Sequence, residues 1–144
     1  MATADSNALV ARMGFFHEID VRYADTDAQG HVFFANYLTF FDEAMTFYLK
    51  NRGVDAAQLE DEGIGFVYAD VQCRWRGSGA RFGERLRVHC ALQAVGNTSV
   101  TFACAVDGPD ARRICEGTVV VVCVDPQTKA KVRAPDALRE WVAT

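Results

Sequence analysis

The sequence predicts an α+β domain in which one long helix, apolar over most of its circumference, is wrapped by a curved, five-stranded antiparallel sheet. Three observations predict it. Within residues 35–50, Thr39, Asp42, Glu43, Thr46 and Lys50 recur at helical steps and form one narrow polar stripe, while apolar residues fill the other positions. A helix with that pattern must be enclosed by other elements. From residue 64 onward the chain carries long β-prone runs at 64–76, 82–95, 98–106 and 112–124. These are separated by Gly77-Ser78-Gly79, Gly96-Asn97 and Asp107-Gly108-Pro109-Asp110, short turn-forming connections that predict hairpins between successive runs.

Taken in order, residues 1–13 read as a loose tail with a weak helical turn near Leu9 to Met13, and residues 14–144 as a single domain. Phe15, His17, Ile19, Val21 and Tyr23 share one parity, the mark of a strand over 15–23 with one buried face. A polar loop, ADTDAQG, follows and is dense in turn formers. Gly53 is placed to stop the long helix, and Asp55 to cap a short exposed helix over 55–62. In the β-prone half, Leu86 to Cys90 and Val100 to Phe102 alternate polar with apolar residues, as a sheet covered on one face requires. Asp125-Pro126 ends the last strand, and Pro135 to Val142 reads as a closing helical turn.

The bulk properties exclude several classes. The chain has 144 residues, half of them hydrophobic, with a formal net charge of -4, so bulk charge gives no reason to expect a nucleic-acid partner. No run approaches the roughly 18 consecutive apolar residues of a spanning helix, so no membrane insertion is expected. The first residues lack a basic region and an apolar core, and a cytoplasmic location is expected. The five cysteines, Cys73, Cys90, Cys104, Cys115 and Cys123, form no CxxC pair and lie in strand-like runs. They read as buried free thiols rather than as a metal or redox site, and no metal or other cofactor is expected.

Residues 20–51 hold both the candidate chemistry and much of the candidate core. Asp25 and Asp27 sit in the polar loop, Gly30 leads out of it, and the long helix begins a few residues later. The stretch VRYADTDAQGHVFFANYLTFFDEA resembles the N-terminal signature of the hotdog-fold acyl-CoA thioesterases of the 4-hydroxybenzoyl-CoA thioesterase type. The matching residues are Tyr23, Asp25, Asp27, Gly30, Val32, Asn36 and Tyr37, with Asp42 on the helix, Ala80-Arg81-Phe82 before a strand and the Pro135 helix in corresponding places. The chain departs from many of these relatives at Met45, where an arginine is common, and at Gly79, where a proline is common.

The resemblance implies a hotdog fold, hydrolysis of an acyl-CoA thioester, and a catalytic carboxylate on the second acid of the motif, Asp27. It also implies a homodimer or homotetramer with sheets joined edge to edge and active sites at the interface. The residues support the same chemistry. A helix N-terminus offers unpaired N–H groups and partial positive charge, and Gly30 permits a close backbone approach. The N–H groups near Phe33, Phe34 and Ala35 are therefore oxyanion-hole candidates, with Phe34 placed beside Asp27 as catalytic. Gly30, His31, Val32, Phe33, Ala35, Asn36, Tyr37, Asp42 and Arg81 are the candidate substrate-binding residues. Asp25 is expected to order the loop by hydrogen bonding.

Arg74, Arg76, Arg81, Arg85 and Arg87 are candidates for the phosphates of coenzyme A, since arginine forks suit phosphate oxygens. Arg81 leads because it matches the motif. Phe33, Phe34, Tyr37, Phe66, Tyr68 and Trp75 are candidates to line an acyl pocket, with core packing the plainer expectation for each. Two other functions fit the same pattern: a thioesterase acting on acyl carrier protein, and a hotdog module that binds acyl-CoA without turnover. Neither the acyl group nor the choice between Asp27 as nucleophile and as general base follows from the sequence.

Overall fold

The computed structural model describes residues 15–142. The expected tail, with its turn near Leu9 to Met13, lies outside them. The elements run β1 (Phe16–Asp20), α1 (Asn36–Asn51), α2 (Ala56–Asp61), β2 (Gly65–Trp75), β3 (Arg85–Val95), β4 (Ser99–Asp107), β5 (Arg113–Val124) and α3 (Asp136–Arg139). The five strands form one sheet in the order β1-β3-β4-β5-β2, and every pairing is antiparallel.

Local signals place most of these boundaries. Gly53 adopts φ +84° past the end of α1, and its N–H donates to the Lys50 carbonyl at 3.0 Å. That left-handed stop is one glycine takes without strain. The Asp55 carboxylate accepts from the Ala57 N–H at 2.8 Å and caps α2. β1 is shorter than its parity predicts. The chain leaves the sheet after Asp20 and enters a 3-10 turn at Tyr23–Asp25, which leaves Tyr23 79% exposed rather than on the buried face.

The connection from β2 to β3 also departs from expectation. The β3–β4 and β4–β5 links are hairpins, but β2 pairs with β5 at one edge while β3 lies beside β1 near the other. Residues 76–84 are thus a crossover along the end of the sheet, not a hairpin. They run against the loop before α1: Val32 donates to the Ala80 carbonyl at 2.8 Å, and His31 bridges to Arg81.

The core lies between α1 and one face of the sheet. Tyr37, Phe40, Phe41, Ala44, Met45, Tyr48 and Leu49 of α1 are buried against Leu86, Val88, Cys90 and Leu92 of β3 and Val100, Phe102, Cys104 and Val106 of β4. Each large apolar side chain so buried contributes roughly 1.5–3 kcal/mol. The register of β3 on β4 shifts between Leu92 and Ala94, and the buried Leu92 N–H donates to the Tyr48 hydroxyl at 3.2 Å.

α1 is not enclosed on every side. Phe47 is partly exposed and stacks on the His17 ring with centroids 4.2 Å apart, while His17 Nε2 lies 2.7 Å from Glu43 Oε2. The helix packs mainly on β3 and β1 and stands away from β2. The five cysteines are unpaired; all are buried except the half-buried Cys73. Among the described residues, no helix is long and apolar enough to cross a membrane.

Candidate active site

Asp25 organises the loop that precedes α1. Its side chain is 2% exposed. One oxygen accepts from the Arg22 backbone N–H at 2.8 Å; the other accepts from Arg22 Nη2 at 2.9 Å and from Asn36 Nδ2 at 3.1 Å. Burial pushes this carboxyl up, and the side-chain hydrogen bond, backbone hydrogen bond and charge of Arg22 together outweigh it. The net result lies below the usual carboxylate value. Its own carbonyl accepts from the Phe33 N–H at 2.9 Å. Asp25 therefore clamps both ends of the loop and the first residue of the helix.

Asp27 stands at the tip that this clamp holds. Its N–H donates to the His31 carbonyl at 2.8 Å, and its carbonyl accepts from the Gly30 N–H at 3.0 Å. Gly30 closes this turn at φ +82°, a conformation that favours glycine. One carboxylate oxygen of Asp27 accepts from the Gln29 N–H at 2.9 Å. The other has no hydrogen-bond partner among the described residues, and the residue is exposed.

The start of α1 shows which N–H groups are available. The Phe33 N–H is spent on Asp25, which corrects its candidacy as an oxyanion donor. The Asn36, Tyr37 and Leu38 N–H groups turn back to the Phe33, Phe34 and Ala35 carbonyls. Those of Phe34 and Ala35 have no acceptor among the described residues. They lie at the positive end of a 16-residue helix, where negative charge is favoured.

Other candidates separate by burial. Val32 is buried, and Tyr37 is 1% exposed with its hydroxyl accepting from the Ala80 N–H at 2.9 Å. Both side chains belong to the core and fix the crossover against the loop. Asn36 is likewise committed to Asp25. His31 is half-buried, and its ring has no hydrogen bond among the described residues.

The arginines divide too. Arg76 pairs with the buried Glu116, with Nε–Oε2 at 2.9 Å; Arg85 pairs with Asp20, and Arg87 lies near Glu18 and over the Phe16 ring. Arg74 and Arg81 have no ion pair among the described residues, and Arg81 lies beside Gly30.

Four of the six candidate aromatic residues depart from the expectation of plain core packing, which the buried Tyr37 and the partly buried Phe66 meet. Phe33, Phe34, Tyr68 and Trp75 are all exposed, with Phe34 at 61%. Phe34 and Trp75 meet edge to face with centroids 5.9 Å apart, linking the start of α1 to the end of β2. Farther along the helix, the Tyr68 hydroxyl donates to Asp42 Oδ1. Desolvation beside this strand, and then the Glu43 charge, push the Asp42 carboxyl up. This pairing spans the helix and strand, so no local pattern announces it.

Comparison with known proteins agrees with this architecture. Residues 21–142 match the model of the thioesterase-like superfamily. The chain is 31% identical over 116 residues to the acyl-CoA thioester hydrolase YbgC of Escherichia coli O6:H1, covering 81% of this chain and 85% of that one. It is 31% identical over 125 residues to the 1,4-dihydroxy-2-naphthoyl-CoA hydrolase of Thermosynechococcus vestitus, covering 85% and 84%. A hypothetical protein from Aquifex aeolicus superposes with a TM-score of 0.81 at 23% identity, over 90% of this chain and 99% of that one, which supports the fold. The chain belongs to the thioesterase-like superfamily and has the hotdog fold.

Proposed function

We propose that this enzyme hydrolyses the thioester of a small or medium acyl- or aroyl-CoA, releasing the free acid and coenzyme A. The observation that carries the mechanism is the pair of unsatisfied N–H groups on Phe34 and Ala35, at the head of α1, beside a loop whose tip presents a free carboxylate oxygen of Asp27. The thioester carbonyl oxygen sits at those N–H groups. Asp27 takes a proton from water as the water oxygen attacks the carbonyl carbon. The oxyanion is held by the two N–H groups and the helix end. Collapse of the intermediate expels the coenzyme A thiolate, and the proton held by Asp27 returns to it. The exposure of Asp27 supports the general-base role, since solvent reaches it. The unpaired Arg81 guanidinium beside the loop suits a phosphate of coenzyme A.

The partner is a second copy of this chain. β2 is an 11-residue edge strand with one unpaired flank, and it exposes Val67, Tyr68, Val71 and Trp75. An edge so long and apolar calls for cover, and pairing two β2 strands would join the sheets next to the Phe34–Trp75 contact. Sedimentation gives the mass and separates dimer from tetramer. Unpaired thiols at all five cysteines fit a reducing cytoplasm.

The test is thiol release from a panel of acyl- and aroyl-CoAs by wild type, Asp27→Ala and Asp27→Asn. Both variants are expected to lose at least about 100-fold in kcat, the low end for a positioned base; unchanged turnover would remove Asp27 from the mechanism. A single turnover in oxygen-18 water labels only the product acid if Asp27 is a base; label in Asp27 requires an acyl-aspartyl anhydride opened by water at the aspartyl carbonyl, and so identifies Asp27 as the nucleophile. The same acyl group on acyl carrier protein serves as the competing substrate.

A further inference from the structure

A trough runs between α1 and β2, one helical turn past the candidate oxyanion donors. The two elements face each other in opposite directions. Phe34 meets Trp75 at the near end. Leu38, one helical turn on, lines a cavity of about 330 Å³ together with Val71 and Val119. Met45, Leu49 and Phe66 line a second cavity of about 200 Å³ beyond it. Asp42 and Tyr68 belong to the walls of both cavities, and their hydrogen bond crosses the trough between them. The helix stands away from β2 all along this side, while the walls before and after the pair are mainly apolar.

We propose that this trough holds the acyl chain and that the Asp42–Tyr68 pair is its length gauge, an inference that rests on the thioesterase reading above. A straight chain leaving the carbonyl at Phe34 and Ala35 runs along Leu38 and Val71 and meets the pair. The axial rise from the head of the helix to Asp42 is about 11 Å at 1.5 Å per residue. An extended chain advances about 1.3 Å per bond, from 3.8 Å per three bonds of backbone. The near cavity therefore accommodates roughly eight to ten carbons. A longer chain must break the pair and leave the Asp42 carboxylate facing hydrocarbon, which is unfavourable. The far cavity is the space that opens when the pair is removed.

The test uses non-hydrolysable S-alkyl-CoA thioethers from butyl to hexadecyl, with affinities measured by calorimetry. For wild type, affinity is expected to rise about fourfold per methylene, the value of one buried CH₂, up to the octyl-to-decyl region, and then to level off. Tyr68→Ala and Asp42→Ala should extend the rise to dodecyl or beyond by joining the two cavities. Leu38→Trp, which fills the near cavity, should move the break to shorter chains. The proposal is overturned if wild type shows no break or binds none of the thioethers. It is also overturned if the break stays in place in the folded variants, with folding checked by circular dichroism and mass by sedimentation. Should a gauge variant fail to fold, the wild-type break and the Leu38→Trp shift still decide. A break without thiol release from any acyl-CoA would sink the thioesterase reading alone; thiol release without a break would sink the gauge alone.

Discussion

Asn36 Nδ2 donates to Asp25 Oδ1 at 3.1 Å, joining the first residue of α1 to an acid 11 positions earlier in the chain. That bond orients the head of the helix against the loop. The polar groups of Asp25 are then shared among Arg22, Phe33 and Asn36, while Asp27 is left to face solvent. The two acids of one short motif thus have separate tasks, one structural and one available for chemistry.

This arrangement predicts a pH dependence. The Asp25 carboxyl lies below its unfolded value of about 3.9, so its stabilisation is present above that pH and is lost as pH falls through the lower folded value. Denaturant midpoints for wild type should drop below about pH 4, and Asp25→Asn should show a flatter profile there. At neutral pH, Asp25→Ala should cost about 1–3 kcal/mol, because it leaves the half-buried Asn36 amide and the Arg22 backbone N–H without their acceptor. Identical acid profiles for wild type and Asp25→Asn would count against the clamp.

The proposed oxyanion role of Ala35 can be tested on the backbone itself. Ala35 has φ -69°, which a proline ring accepts, and its N–H has no acceptor among the described residues. Ala35→Pro should remove one oxyanion donor and reduce kcat by about 100- to 1,000-fold. Affinity for a non-hydrolysable thioether should change far less. Ala35→Gly, which keeps the N–H, serves as the control, and normal turnover in Ala35→Pro would exclude this donor.

Gly117 of β5 lets β2 lie close. A Cβ added there would run into the Gln72 carbonyl of β2, and neither backbone can yield without opening the β2–β5 ladder. Gly117→Ala is expected to destabilise by about 2 kcal/mol or more, as steric overpacking does, and to lower oligomer mass if β2 carries the interface. Equilibrium unfolding and sedimentation measure both effects; wild-type values in each would mean the strands absorb the methyl group.

The β4–β5 hairpin turns with two non-glycine residues in the left-handed region, Asp110 at φ 65° and Ala111 at φ 58°. That conformation costs an L residue roughly 1–2 kcal/mol, and part of it returns as lost backbone entropy when glycine is introduced. Ala111→Gly is expected to stabilise by up to about 1 kcal/mol, read from the denaturation midpoint, with no effect on thiol release. A lower midpoint would show that the turn relaxes by another route.

By itself, the sequence determined what is written in local period and short-range capping. The long helix, its Gly53 stop, the Asp55 cap, the approximate strand ranges and the acidic loop ahead of the helix are all legible, because each depends on residues a few positions apart. Only the tertiary structure decided which strand lies beside which. Alternation marks a strand's apolar face but carries no record of its neighbour, so β2 went to the far side of β5 although its connection to β3 reads as a hairpin. That placement exposes Tyr68 and Trp75 on an open edge, brings Tyr68 to Asp42 and sets Phe34 against Trp75. The same long-range closure spends the Phe33 N–H on Asp25 and leaves those of Phe34 and Ala35 free, because hydrogen bonds are allotted only once the loop has packed against the helix.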